Sequence, residues 1–172
     1  FTACGPEIVR YIQEAGKRVF LDLKFHDIPN TVANAVSAAV HLRKGRQSVF
    51  MCTLHVVGGR EMLQRAVAAA TKTAQDIGVQ RPYLVGITVL TSEEKMDNIH
   101  QLVLERSQLA KEAGLDGVVA SSQEAAIVRK NLGDDFIIVT PGIRPKGSET
   151  GDQKRVATPA DAIANGSNFL VV

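Results

Sequence analysis

VFLDLKFHDIPNT, residues 19–31, decides how this chain is read, because it sets Asp22, Lys24 and Asp27 where an apolar strand gives way to a helix. In an extended strand successive side chains face opposite sides, so Phe20, Asp22 and Lys24 share one face and Val19, Leu21 and Leu23 share the other. The following segment, 30–42, carries Val32, Ala35, Val36, Ala39 and Val40 at helical spacing, which puts the strand in a parallel sheet covered by helices. The charged face is therefore expected to point into a barrel or crevice and away from solvent. Acid and base at the carboxyl end of such a strand are where α/β enzymes keep their chemistry. A structural ion pair at a strand end is the competing reading of a lone Asp-x-Lys.

Outward from this stretch the pattern alternates. Residues 7–15 carry Ile8, Tyr11, Ile12 and Ala15 at helical spacing, with Gly5-Pro6 leading in and Gly16 as a stop. Further strands are predicted at 49–55, 83–90, 116–120, 136–140 and 169–172, with helices at about 60–76, 98–113, 123–131 and 159–165. Strict βα repetition means a parallel sheet, either open and doubly wound or closed as an eight-stranded barrel. The chain opens on a helix and ends on the strand FLVV, so the expectation is a (β/α)8 barrel lacking its first two strands and its last helix. An open six-stranded sheet is the alternative. Two unpaired sheet edges would make the 172-residue piece unstable and inactive by itself.

Composition narrows the function classes. With 45% hydrophobic and 22% charged residues, the 172-residue chain buries one core, and a single domain over 1–172 is expected. A net charge of +2 is too small to argue for nucleic acid or an anionic membrane as partner, and the only basic run is the short stretch 43–46. No run approaches the ~18 apolar residues of a membrane span, and no signal-peptide pattern opens the chain. Cys4 and Cys52 are far apart in sequence, which favours two free thiols in a reducing, cytoplasmic setting.

Three motifs in order, DLKFHDIPNT at 22–31, GITVLTS at 86–92 and TPGIRPKGSETGDQKR at 140–155, closely resemble the orotidine 5′-monophosphate (OMP) decarboxylases. The resemblance implies a homodimeric (β/α)8 TIM barrel that removes CO2 from the pyrimidine of OMP to give UMP, with no metal or organic cofactor. It implies that Lys24 is the proton donor and Asp22 its neighbouring carboxylate. Asp27 and Thr31 would reach the site of the partner subunit. The rest of the stretch, Leu23, Phe25, His26, Ile28, Pro29 and Asn30, would line the substrate. Thr91 matches the residue that touches the pyrimidine, and Arg144 and Gln153 match phosphate ligands.

Departures from the family pattern lie at both ends and in the middle. Family members carry an Asp and a second active-site Lys on two earlier strands, and a Gly-Arg directly after FLVV; the parent sequence is expected to supply all of these. The stretch HLRKGRQSVFMCTL, 41–54, holds a basic insert that blurs the alignment, so no role is carried onto His55 or Gly58-Gly59.

Other features have ordinary readings. The loop at 142–156, about fifteen residues with three glycines and Pro145, has the length of a lid or binding loop, with Arg144 offering a planar fork of donors. Lys146, Lys154 and Arg155 are expected to be solvated. His26 is expected to make a local hydrogen bond, since the turn at Asp27-Ile28-Pro29 ends the strand. His41, His55 and His100 lack metal-site spacing, Thr91-Ser92 before Glu94 suits a helix cap, and Cys52 belongs in the core. Two further functions stay open. One is an Mg2+-dependent sugar-phosphate lyase or synthase, which uses a similar Asp-x-Lys-x-x-Asp motif but is disfavoured by DIPNT and the GDQ loop. The other is a non-catalytic binding domain.

Overall fold

Apolar runs too short for helices alternate with segments of helical periodicity, and the computed structural model, which describes residues 1–90, 98–145 and 157–172, folds them as parallel strands and intervening helices. The chain forms two compact units, Phe1–Leu84 and Val85–Val172.

The first unit holds α1 (Glu7–Glu14), β1 (Phe20–Phe25), α2 (Pro29–His41), β2 (Met51–His55), a 3-10 turn (Val56–Gly58), α3 (Gly59–Asp76) and the start of β3 (Tyr83–Ile87). β1 and β2 pair in parallel. Met51, Cys52, Thr53 and Leu54 of β2 are all buried, as a strand packed on both faces requires. Cys52 is thus in the core, as the sequence implied. Helices α2 and α3 bury Val32, Val36, Ala39 and Val40 against the alanine-rich face of Met62, Leu63, Ala66, Ala70 and Ala74, and a Ser37–Thr73 hydroxyl bond of 2.9 Å crosses the seam.

One helix face differs from expectation. In α1 the buried residues are Val9 and Gln13, while Tyr11 is 71% exposed and Ala15 is exposed too. The cause is polar. Gln13 Nε2 donates to the carbonyl of Leu42 just past α2, so α1 turns its amide inward to satisfy the C-terminal end of α2. The basic insert folds locally as well. Lys44 and Gln47 exchange both backbone hydrogen bonds around Gly45, whose φ of 58° suits glycine, and the Arg46 carbonyl accepts from the Gln80 N–H.

The second unit continues with α4 (Ile99–Glu112), β4 (Gly117–Val119), α5 (Ser122–Leu132), β5 (Ile137–Thr140), α6 (Pro159–Ala164) and β6 (Phe169–Leu170). Its strands pair in parallel in chain order from β3 to β6. They are shorter than the apolar runs suggested, although backbone bonds such as Ala120 N–H to Val139 O and Val171 N–H to Thr140 O run past their ends, and side chains add to them. Thr88 Oγ1 donates to the Val119 carbonyl at 2.8 Å, and Arg106 donates to the Thr88 carbonyl. Arg129 gathers the carbonyls of Gly133, Asp134, Phe136 and Gly166 with its guanidinium, and also donates to Asn168 Oδ1. The predicted loop at 142–156 has its feet tied together, since the Arg144 N–H donates to Ala157 O and the Ala157 N–H to Gly142 O. Residues 146–156, and with them Lys146, Lys154 and Arg155, lie outside the described residues.

Gly117 of β4 lies tight against Ile137 of β5. A Cβ there would lie 2.1 Å from the carbonyl oxygen of Ile137, which is backbone and cannot rotate away. Gly117→Ala in the full-length protein is expected to cost at least the ~1–3 kcal/mol typical of overpacking. A thermal melt reads it, and an unchanged melting temperature would contradict this account of the β4–β5 contact.

Candidate functional site

β1 does not run as a regular strand to its end. Leu21 pairs with Cys52 and Phe25 with Leu54, so β1 advances four residues while β2 advances two. Lys24 absorbs the excess with a φ of 51°, and among the described residues it is the sole non-glycine at positive φ. For a side chain with a Cβ that conformation is costly, of order 1–3 kcal/mol, and something must hold it. Its N–H donates to Thr53 Oγ1 at 2.8 Å instead of to a ladder carbonyl.

The charged pair forms on this bulge. Lys24 Nζ donates to Asp22 Oδ2 at 2.6 Å, and Thr53 Oγ1 donates to Asp22 Oδ1 at 2.9 Å. Asp22 and Lys24 thus meet, but by the bulge and not by the simple parity read from the sequence. The expectation that this face turns from solvent also needs correction. In this chain the side chains are 44% and 40% exposed. An ion pair so open contributes at most about 1 kcal/mol to stability. Its significance is chemical: an ammonium fixed beside a carboxylate.

The chain turns sharply after Phe25. Asp27 Oδ1 accepts from the Ile28 N–H at 2.7 Å, and Ile28 is extended, as a residue before proline must be. Pro29 opens α2 at a position where its missing N–H costs nothing. Asp27, Ile28, Asn30 and Thr31 are exposed on this turn and first helical turn, while Leu23, Phe25 and Pro29 are partly buried. His26 is exposed and packs its ring at 5.5 Å from that of His55 at the end of β2, a ring contact where the sequence suggested a local hydrogen bond. Gly58 lies close by. A Cβ on it would run into Met62 Sδ at 2.1 Å and approach His26.

Arg144 belongs to the second unit, partly buried, with Nη1 donating to the Ile143 carbonyl at 2.8 Å. Thr91 and Gln153 lie outside the described residues, as does the proposed cap at Thr91-Ser92. Among the described residues no three His, Cys, Asp or Glu side chains gather as a metal site, and no helix is long and apolar enough to cross a membrane. The residue that sequence reasoning passed over is Thr53. Its signal was a hydroxyl in the otherwise apolar run VFMCTL, two residues before a strand end.

Comparison with known proteins agrees with the motifs. The description of the matching family is orotidine 5'-phosphate decarboxylase / HUMPS, and the match runs over residues 1–172. An orotidine 5'-phosphate decarboxylase of Vibrio cholerae serotype O1 is 50% identical over 180 residues, which take in 100% of this chain and 74% of the relative. One from Moorella thermoacetica is 47% identical, over 100% of this chain and 70% of its own length. The crystal structure of orotidine 5'-phosphate decarboxylase from Lactobacillus acidophilus superposes with a TM-score of 0.80 at 34% identity, covering 98% of this chain and 71% of that one. Parallel strands with alternating helices are accordingly those of a TIM-barrel fold. With a match along its whole length and half its residues shared with one relative, the chain belongs to the orotidine 5'-phosphate decarboxylase / HUMPS family.

Proposed function

We propose that this protein is an OMP decarboxylase, forming UMP and CO2 in pyrimidine biosynthesis, with Lys24 as the proton donor. The observation that carries the reading is the Lys24–Asp22 pair, 2.6 Å apart, in a chain 50% identical to a relative named for that activity. Breaking the bond between the pyrimidine carbon and its carboxylate releases CO2 and leaves the electron pair on that carbon, with no adjacent electron sink. An ammonium about 4 Å away attracts such a charge by roughly 4 kcal/mol at an effective dielectric of 20. Each ~1.4 kcal/mol of barrier lowering is about tenfold in rate, and only attraction that grows in the transition state counts. Lys24 Nζ then gives its proton to the carbon and recovers one from water. Asp22 would repel the substrate carboxylate before reaction and be relieved as neutral CO2 leaves.

The supporting residues follow from the same resemblance. Arg144 and Gln153 bind the phosphate and Thr91 the pyrimidine, while residues 22–31 surround the substrate. The protein acts as a homodimer, with Asp27 and Thr31 completing the partner's site. The exposed Ile28 beside Asp27 is consistent with a covering partner. No metal or organic cofactor takes part, and the setting is cytoplasmic, which suits free thiols at Cys4 and Cys52.

The full-length protein is expected to decarboxylate OMP at a rate unchanged by a metal chelator. Absence of turnover would overturn the proposal, and loss of activity in chelator would favour the Mg2+-dependent sugar-phosphate reading. Lys24→Ala is expected to abolish turnover with UMP affinity little changed, because Lys24 meets charge that develops during reaction. Arg144→Ala should weaken UMP binding, because phosphate charge is present throughout. Titration of both variants with UMP checks this, and equal losses would contradict the division.

Sharing of sites can be read by subunit mixing. Lys24→Ala and Asp27→Ala dimers, each inactive, are dissociated and re-associated together. If Asp27 acts across a two-fold interface, each heterodimer holds one intact site, and random assortment restores ~25% of wild-type activity. No recovery despite proven exchange would place Asp27 in its own chain's site.

A further inference from the structure

We infer that Thr53 is the positioning residue of the reaction, its one hydroxyl fixing both the backbone of Lys24 and the carboxylate of Asp22. The inference rests on the decarboxylase reading for its kinetic consequence, though its geometry stands apart from it. A threonine hydroxyl has one proton to give and lone pairs to receive with. Here the proton goes to Asp22 Oδ1 at 2.9 Å, and a lone pair takes the Lys24 N–H at 2.8 Å. Asp22 is therefore held at both oxygens, by Thr53 on one and by Lys24 Nζ on the other, and cannot rotate without losing a bond. Lys24 is held at both ends, by its N–H and by its ammonium.

Nothing else on the described residues explains the bulge so directly. Lys24 has a φ of 51° that its Cβ disfavours, and its N–H has left the ladder. A substitute acceptor at that height must come from the neighbouring strand. Thr53 supplies it from β2, fully buried and so unable to drift with solvent. The exposed ion pair alone is too weak to hold one geometry. Thr53 touches neither substrate nor reacting carbon on this account; it acts through the two residues that do.

The test compares Thr53→Val, which keeps the shape and removes the hydroxyl, with Thr53→Ser, which keeps the hydroxyl. In the full-length protein Thr53→Val is expected to lower kcat by about 100-fold, the scale of a misplaced catalytic group, while UMP affinity changes by less than about 3-fold. Thr53→Ser should restore kcat to within about 3-fold of wild type. Wild-type kcat in Thr53→Val, or equal losses in both variants, would overturn the inference. Should Thr53→Val fail to melt cooperatively, Thr53→Ala removes the same hydroxyl without adding a methyl and is read the same way. If the wild type does not turn over OMP, the decarboxylase reading fails by itself. The positioning claim is then decided by a crystal structure of the Thr53→Val variant. Lys24 should leave the left-handed region and part from Asp22; an unchanged φ and an unchanged pair would overturn it.

Discussion

A strand in a parallel sheet must pass each N–H to a neighbour's carbonyl, because a buried amide left unpaired costs as much as a lost hydrogen bond. At Lys24 the chain departs from that rule, and the departure places its chemistry. The residue turns left-handed, the ladder slips by two residues, and the stray N–H is taken up by a threonine hydroxyl from the next strand. Without that acceptor the regular ladder would be the lower-energy course. The sharp turn at Asp27 and the immediate start of α2 at Pro29 follow directly after the bulge.

Polar side chains elsewhere also supplement the backbone bonds of strands and turns. Thr88 Oγ1 reaches a carbonyl past the end of β3, Asn168 Oδ1 accepts from the Ile138 N–H, and Arg129 collects the carbonyls of a turn after α5. Thr88 and Arg129 act at the ends of elements, whereas Asn168 joins β5 within the strand. Short strands at the carboxyl ends free backbone and side chains for ligands, the arrangement this architecture uses for catalysis.

Periodicity made most of the fold legible. Every predicted helix and strand that falls among the described residues has its counterpart, because buried parallel strands and amphipathic helices leave strong apolar signals. The α1 face was missed, since Gln13 is buried for a hydrogen bond and no hydropathy pattern announces that. The site was half legible. DLKFHDIPNT gave the acid and the base, but parity could not foresee a positive φ at a lysine or an acceptor 29 residues away on another strand. Such pairings depend on register, which a bulge resets. Thr91 and Gln153 stay with the resemblance alone.

The tied feet of the loop between Gly142 and Ala157 carry an evolutionary consequence. Because backbone bonds clamp its two ends to each other, the strands beyond do not depend on how much chain runs between the clamps. Closing a longer loop costs little, about 0.6 kcal/mol for each doubling of length. Insertions and deletions between the clamped ends therefore cost the strands beyond them little. The length of chain there can drift while β5 and β6 keep their register.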